Sequence, residues 1–354
     1  MSRVVDLNAE RYRRRPIDVE NGRIELTHGA GGRAMVDLID GVFRAAFSNP
    51  LLDKGNDQAV FEMQSGRLVM STDTFVVSPL FFPGGDIGSL AVHGTINDVA
   101  IAGAVPRYLS TGFVLEEGFP LSDLTRIVRS MAEAARNAGV LIITGDTKVV
   151  ERGKCDGIYI NTAGIGQLVP GLEISSDRAR PGDKVVISGT IGEHGVAILA
   201  SRNGFAGESG VRSDTAAVNG LVAQMIHAVP GIHVLRDPTR GGLGAVLNEI
   251  AHRSIVGIHL DRRAIPVRPE VAEACRLMGL DPLNCANEGK VVAVAPAAEA
   301  DRLVAAMREH PLGREAAIIG EVIADRDGYV AVRSDDGHYH LVDWLVGSVL
   351  PRVC

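Results

Sequence analysis

The strongest constraint on this chain is an arrangement that occurs twice in its first half. Leu68 to Asp73 is a β-rich run that closes on an acid, and Val140 to Thr144, followed directly by Gly145-Asp146, repeats it. Between the two runs, Leu124, Ile127, Val128, Met131, Ala135 and Ala138 recur at helical spacing, with Ser122 as the expected N-cap and Gly139 as the C-cap. Strands alternating with an apolar-striped helix imply layered α/β structure, here with carboxylates at two strand ends. A segment bearing proline and glycine, Val169-Pro170-Gly171 through Pro181-Gly182-Asp183, then precedes a fresh strand at Lys184 to Ser188. Beyond it the alternation resumes, with helical patterns near 215–228, 242–253, 268–279 and 299–310 and β-rich runs at 255–260, 290–295 and 316–323. The 354 residues suffice for two ordinary domains. The expected fold class is therefore α/β (α+β), with two mixed domains over 23–168 and 169–346, a solvated extension over 1–22 and a mobile tail over 347–354.

Charge and composition narrow the function. With 36 Lys+Arg against 43 Asp+Glu, the net charge of -7 has the wrong sign for a phosphate backbone, so nucleic acid is not an expected partner. Arg11 and Arg13 to Arg15 are followed by no apolar run, which argues against a secretory or twin-arginine signal. No stretch approaches the roughly 20 apolar residues of a membrane-spanning helix, so a cytoplasmic protein without a membrane partner is expected. Cys155, Cys275, Cys285 and Cys354 form no C-x-x-C pair, which points away from a disulfide framework or a zinc knuckle.

Neither familiar nucleotide signature is present, whether G-x-x-x-x-G-K-[ST] or a G-x-G-x-x-G between strand and helix. The chain offers instead His28-Gly29-Ala30-Gly31-Gly32, Asn56-Asp57, Thr72-Asp73-Thr74, Asn97-Asp98 and Gly145-Asp146-Thr147-Lys148. Glycines let backbone N–H groups approach phosphate, and dispersed carboxylates hold magnesium through oxygen and water. Taken singly, each element is equally a turn or a cap; their concentration in one half is the signal. Lys148 is either a solvated lysine or a cation facing a phosphoryl group. In the second half, Asp237-Pro238-Thr239-Arg240-Gly241-Gly242 opens a helical pattern, as a capped turn or an anion site. Asn287-Glu288-Gly289 is a corner before the strand Val291 to Val294, as a surface turn or the seat of a base. Cys354 ends the chain, and its own α-carboxylate raises the thiol pKa, which suits a carrier better than a nucleophile. Twelve residues from Asp343 reach roughly 40 Å when extended, far enough to visit an active site.

These motifs together resemble the HypE family of hydrogenase maturation factors, in the ATP-binding superfamily of aminoimidazole ribonucleotide synthetase, thiamine-phosphate kinase and selenophosphate synthetase. The likeness runs from about Ile24 to Cys354. It is carried by His28 to Gly32, Asn56-Asp57, the block Thr72 to Pro106 with Pro83-Gly84-Gly85-Asp86-Ile87-Gly88, Gly145 to Lys148, Asp237 to Gly242, Asn287 to Gly289, and the ending Pro351-Arg352-Val353-Cys354. Val353 stands where isoleucine is commoner, Gln58 where alanine is, and the Arg-rich extension is additional.

The resemblance implies two domains of the aminoimidazole ribonucleotide synthetase type, the first pairing its sheet across a homodimer with ATP nearby. It also implies a carbamoyl dehydratase. A carbamoyltransferase, HypF, loads Cys354; ATP-dependent dehydration leaves a thiocyanate; and a HypC–HypD scaffold complex receives the nitrile as a cyanide ligand of a [NiFe]-hydrogenase. On these residues it implies magnesium at Asp57, Asp73, Asp98 and Asp146, and ATP contacts from them and from Gly31, Gly32, Thr74, Asn97 and Lys148. Catalysis falls to Cys354 and Glu288, with Lys148 as the alternative proton acceptor, while His28 and Arg240 receive no role. A kinase or synthetase acting on a free small molecule leaves Cys354 unexplained, and a non-enzymatic assembly factor would bind ATP without consuming it. Selenophosphate synthetase is disfavoured because no cysteine precedes Cys155.

Overall fold

Period-two alternation builds the first half as one sheet with a single covered face. The computed structural model describes residues 17–56, 58–63, 65–204, 210–344 and 352–354. Four strands, β1 (Leu68–Phe75), β6 (Ile158–Leu168), β4 (Ala104–Glu116) and β5 (Leu141–Val150), lie side by side in that order. All pairings are antiparallel except β4 with β5. Phe75, Ile160 and Phe113 form a buried row on one face, while Met70 and Leu141 lie exposed on the other, Met70 at 70%. Asp73 and Asp146 lie inside β1 and β5 rather than at strand ends, because the flanking threonines and valines continue each ladder past the acid.

Two helices cover the buried face. Helix α3 (Leu121–Ala138) buries Leu124, Ile127, Val128, Met131 and Ala135, and Gly139 closes it at φ 72° in the left-handed region. Its N-cap is Pro120, not Ser122: the Leu124 N–H already bonds the Pro120 carbonyl at 3.1 Å, so the helix starts earlier than the spacing implied. Helix α2 (Ile87–Ile101) escaped sequence reading because it is buried on nearly every side and has no polar stripe. The first sheet packs on one side of it, and second-domain residues such as Leu221 and Leu235 share a core with its Ala100 and Ile101. Asp86, in the small hairpin β2 (Phe81–Phe82) and β3 (Gly85–Asp86), caps α2 by accepting the Ser89 N–H at 2.9 Å. Ahead of the sheet lies the short helix α1 (Arg33–Leu38). The 1–22 extension is shorter than expected, since Ile17 and Val19 pack on the first core.

The second domain is a seven-stranded sheet in the order β13-β12-β9-β11-β7-β10-β8. Its strands are β7 (Lys184–Ile187), β8 (Val234–Arg236), β9 (Gly257–Asp261), β10 (Val292–Ala295), β11 (Ala317–Ile323), β12 (Val330–Arg333) and β13 (Tyr339–Leu341). Val292 and Val294 enter one core with helix α6 (Gly242–Ser254), while Ala293 and Ala295 enter another with α5 (Asn219–Ala228) and α8 (Ala297–Arg308). Cover on both faces explains the unbroken apolar run of β10. Helices α4 (Glu193–Arg202) and α7 (Pro269–Met278) complete the domain. Among the described residues no helix is long and apolar enough to cross a membrane.

Candidate active site

Four carboxyl groups converge where α2 meets the second domain. Asp73 takes the covered face of β1, and α2 sets Asp98 beside that strand, where the Ser71 hydroxyl donates to its Oδ2 at 2.7 Å. The turn after β8 supplies Asp237 and the corner before β10 supplies Glu288, which is 2% exposed. Burial is the main force lifting all four pKa values. Glu288 is held well above the usual carboxylate range by burial, then by the charges of Asp237, Asp214, Asp73 and Asp98. Asp237 is pushed up to about 7 by burial, with Asp98 next. Asp73 and Asp98 are raised less, Asp73 being relieved by the Thr74 N–H and the Arg240 guanidinium. Among the described residues, Glu288 Oε1 is buried without a hydrogen-bond partner. Orphaned buried oxygen and crowded like charge are costly in an empty pocket and suit one that receives a cation and a proton donor.

The Glu288 corner is tightly held, so the surface-turn alternative does not apply. Asp214 accepts the Glu288 N–H at 3.1 Å through Oδ1, and through Oδ2 accepts the Gly289 N–H at 3.2 Å and Lys290 Nζ at 3.1 Å. Asn287 Oδ1 accepts the Gly192 N–H at 2.7 Å, and its Nδ2 donates to the Pro238 carbonyl at 3.0 Å. A Cβ at position 289 would stand 2.0 Å from the Asp214 carbonyl oxygen, so only glycine fits.

The chain's end lies in this pocket. Val76 N–H donates to the Cys354 carbonyl oxygen at 3.1 Å and Ser78 N–H to that of Arg352 at 3.3 Å, an antiparallel pairing just beyond β1. Val353 is 2% exposed and joins the first core. The Cys354 thiol is pushed up to about 12 by burial, then by the charge of Glu288 against a smaller opposing pull from Arg240. Arg240, which sequence reading left without a role, thus lowers the pKa of both the thiol and Asp73.

Comparison with known proteins accounts for this combination. The AIR synthase related protein N-terminal domain family matches residues 55–168, and the AIR synthase related protein C-terminal domain family matches 180–333. The carbamoyl dehydratase HypE of Azotobacter vinelandii is 60% identical over 338 residues, 96% of this chain and 99% of that protein. Its counterpart in Cupriavidus necator is 61% identical over 341 residues, 96% and 97% of the two chains. This chain belongs to the HypE family. A crystal structure of hydrogenase maturation protein HypE in complex with ATP matches at TM-score 0.90 and 49% identity, covering 93% of this chain and 99% of that one. A chain from a HypE–HypF complex matches at TM-score 0.76 and 47% identity, covering 86% and 99%.

Not every residue expected from the HypE likeness reaches the pocket. Asp57 lies outside the described residues. Asp146 pairs through Gly112 and Asn161 with Thr74, so it shares the exposed face with Thr74, not the covered face with Asp73. Three strand spacings, about 14 Å, also separate it from β1. There Lys148 pairs with Asp146 at 2.6 Å, lowering its carboxyl pKa, and both side chains are about two-thirds exposed. The four-aspartate magnesium set is therefore not assembled within one chain, and among the described residues no group of three His, Cys or acidic side chains is arranged around a metal position.

Asn97 is a buried strut between domains, donating to the Ala216 carbonyl at 3.0 Å and accepting the Val218 N–H at 2.8 Å. Thr74 is exposed and accepts from Asn161 Nδ2 at 3.0 Å. His28 is buried, and its Nδ1 accepts the Glu25 N–H at 2.9 Å, closing the turn before the glycines. Gly31, at φ 76°, and Gly32 leave open backbone with no atom near a would-be Cβ. Asp237 entered sequence reading only within a capped turn or anion site, with no role for its carboxyl; the signal available was an Asp-Pro step directly after a strand.

Proposed function

We propose that this HypE-family chain is an ATP-dependent carbamoyl dehydratase of [NiFe]-hydrogenase maturation, converting a carbamoyl group on its own Cys354 to a nitrile. The observation that carries this reading is the docking of Cys354 among Glu288, Asp73 and Arg240. A free small-molecule substrate would leave that docking without purpose. The carbamoyl oxygen attacks the γ-phosphorus of ATP and ADP departs. Glu288 takes a proton from the carbamoyl nitrogen, the second passes to solvent as the C≡N bond forms, and phosphate leaves with the former carbamoyl oxygen. A carboxyl raised by burial and neighbouring charge is a strong base once ionised. Arg240 supplies fixed positive charge near the phosphoryl group.

Magnesium is proposed to enter with ATP, held by phosphate oxygens and water together with one or two of Asp73, Asp98 and Asp237, since among the described residues these carboxylates by themselves are not arranged around a metal position. When bound, it neutralises charge on the transferring phosphoryl group. The exposed apolar row of the first sheet supports a homodimer through that face, in which Asp146 and Lys148 serve the partner copy's ATP together with the open backbone of Gly31 and Gly32. A HypF-type carbamoyltransferase loads the tail, a HypC–HypD-type scaffold takes the nitrile, and the cytoplasm is the proposed site of action.

Intact-protein mass after carbamoylation and ATP addition tests this reading. Loss of one water from the Cys354 peptide is expected; ATP hydrolysis with the carbamoyl mass unchanged overturns it.

A further inference from the structure

One polar contact of the docked tail is made by a wholly buried side chain. Helix α4 begins at Glu193, and His194 is its second residue, fully enclosed against the edge of the Phe82 ring at 5.5 Å. Its Nδ1 lies 2.7 Å from Ser213 Oγ and its Nε2 lies 2.6 Å from the Val353 carbonyl oxygen. A carbonyl oxygen can only accept, so Nε2 carries the proton and Nδ1 accepts from the Ser213 hydroxyl. Ser213 is fixed in turn, its N–H donating to the Pro83 carbonyl at 2.7 Å and its Oγ accepting the Thr215 N–H at 3.1 Å. Arginines make further side-chain hydrogen bonds to the tail. Arg202 bonds the Arg352 carbonyl, and Arg352 reaches the Val76 carbonyl at 2.9 Å and the exposed Asp156. Of these, the Arg352–Asp156 pair is exposed and weak, while the two bonds to backbone carbonyls are half-buried.

Resting on the dehydration reading above but going beyond it, we infer that His194 is a positioning residue: by gripping the Val353 carbonyl it fixes the peptide plane immediately before Cys354 and so sets the carbamoyl carrier against Glu288. Four bonds separate that carbonyl carbon from Sγ, so once it is held, the chief remaining freedom is the Cys354 side-chain torsion. Arg352 adds to the aim by adopting φ 52°, a left-handed conformation that turns the chain inward and that a non-glycine residue keeps only when its surroundings impose it. Reacting atoms must be held within about 3 to 3.5 Å; the Val76 and Ser78 backbone bonds hold the carbonyls on either side of Val353, and the His194 bond holds the one between them.

Two variants separate the grip from the fold. In His194→Asn the amide can take the place of Nδ1 and keep Ser213 but cannot reach Val353, whereas in His194→Gln the longer amide can donate where Nε2 did. Both are made with Cys155→Ser, since Cys275 and Cys285 are buried. The readouts are the rate of Cys354 alkylation by a small maleimide in the uncarbamoylated protein, and single-turnover dehydration of the carbamoylated form. His194→Asn should speed alkylation by about fivefold to tenfold, the scale of one buried hydrogen bond, and slow dehydration at least as much with ATP binding unchanged; His194→Gln should recover most of both. Alkylation unchanged in a folded His194→Asn variant overturns the inference, whatever the dehydration result. If the parent protein gives no nitrile yet alkylation follows this order, the grip stands and the dehydration reading fails.

Discussion

Two acidic regions of the first sheet use the same residue type and behave oppositely. Asp73, on the covered face of β1, is raised by burial among Asp98, Asp237 and Glu288. Asp146, on the exposed face of β5, is lowered by Lys148. Their sequence contexts, Thr72-Asp73-Thr74 and Gly145-Asp146-Thr147, are nearly interchangeable. Strand parity and position in the sheet make one a member of a strained, proton-hungry pocket and the other a solvated ion pair. Under the function proposed above, the buried cluster holds the chemistry of its own chain, while the exposed pair acts on a neighbouring copy.

The comparison breaks most visibly at Glu288. Glu288→Gln keeps the side chain's shape and removes its basicity, so single-turnover nitrile formation should fall by about 10² or more while ATP binding persists. Nitrile yield at the parent rate would move the base to Lys148 or solvent. A smaller and sharper effect comes from mixing subunits. If Lys148 serves the partner's pocket, Glu288→Gln and Lys148→Ala proteins, each inactive alone, should form heterodimers with one intact site, and equimolar exchange should restore roughly a quarter of the activity. No recovery after verified exchange would mean that both residues act within one chain, despite the sheet between them.

The smallest effect is on stability. A carboxyl whose pKa is higher folded than unfolded contributes stability that is full below the unfolded value and lost as pH rises through the folded one. Glu288 and Asp237 are both raised, Asp237 to about 7, so the nucleotide-free protein should weaken as pH climbs from acid to above neutral. Glu288→Gln cannot ionise and also lightens the field on Asp237. Its melting temperature should therefore exceed the parent's by a few degrees at pH 8 and hardly differ at pH 5. An equal shift at both pH values would show that the pocket's charge is not what strains it.

Sequence alone determined the layered α/β class, the second-domain helices α5 to α8, and the candidacy of Glu288 and Cys354, because capping residues, apolar spacing and chain-end motifs are local signals. Helix α2 was invisible to the same reasoning: a helix buried on both sides has no polar stripe to reveal its period. Asp237 and Arg240 were legible only as a capped turn or an anion site, since nothing local says that a strand end 164 positions after Asp73 will close on it. Likewise, the assignment of Asp146 and Asp73 to one magnesium site was a reading of motifs, and the register Asp146–Gly112–Asn161–Thr74 separates them. Residue type and spacing say which groups can do chemistry. Which of them meet depends on strand order, on the face each side chain takes, and on long-range packing that brings Cys354 back to β1, and those belong to the tertiary structure.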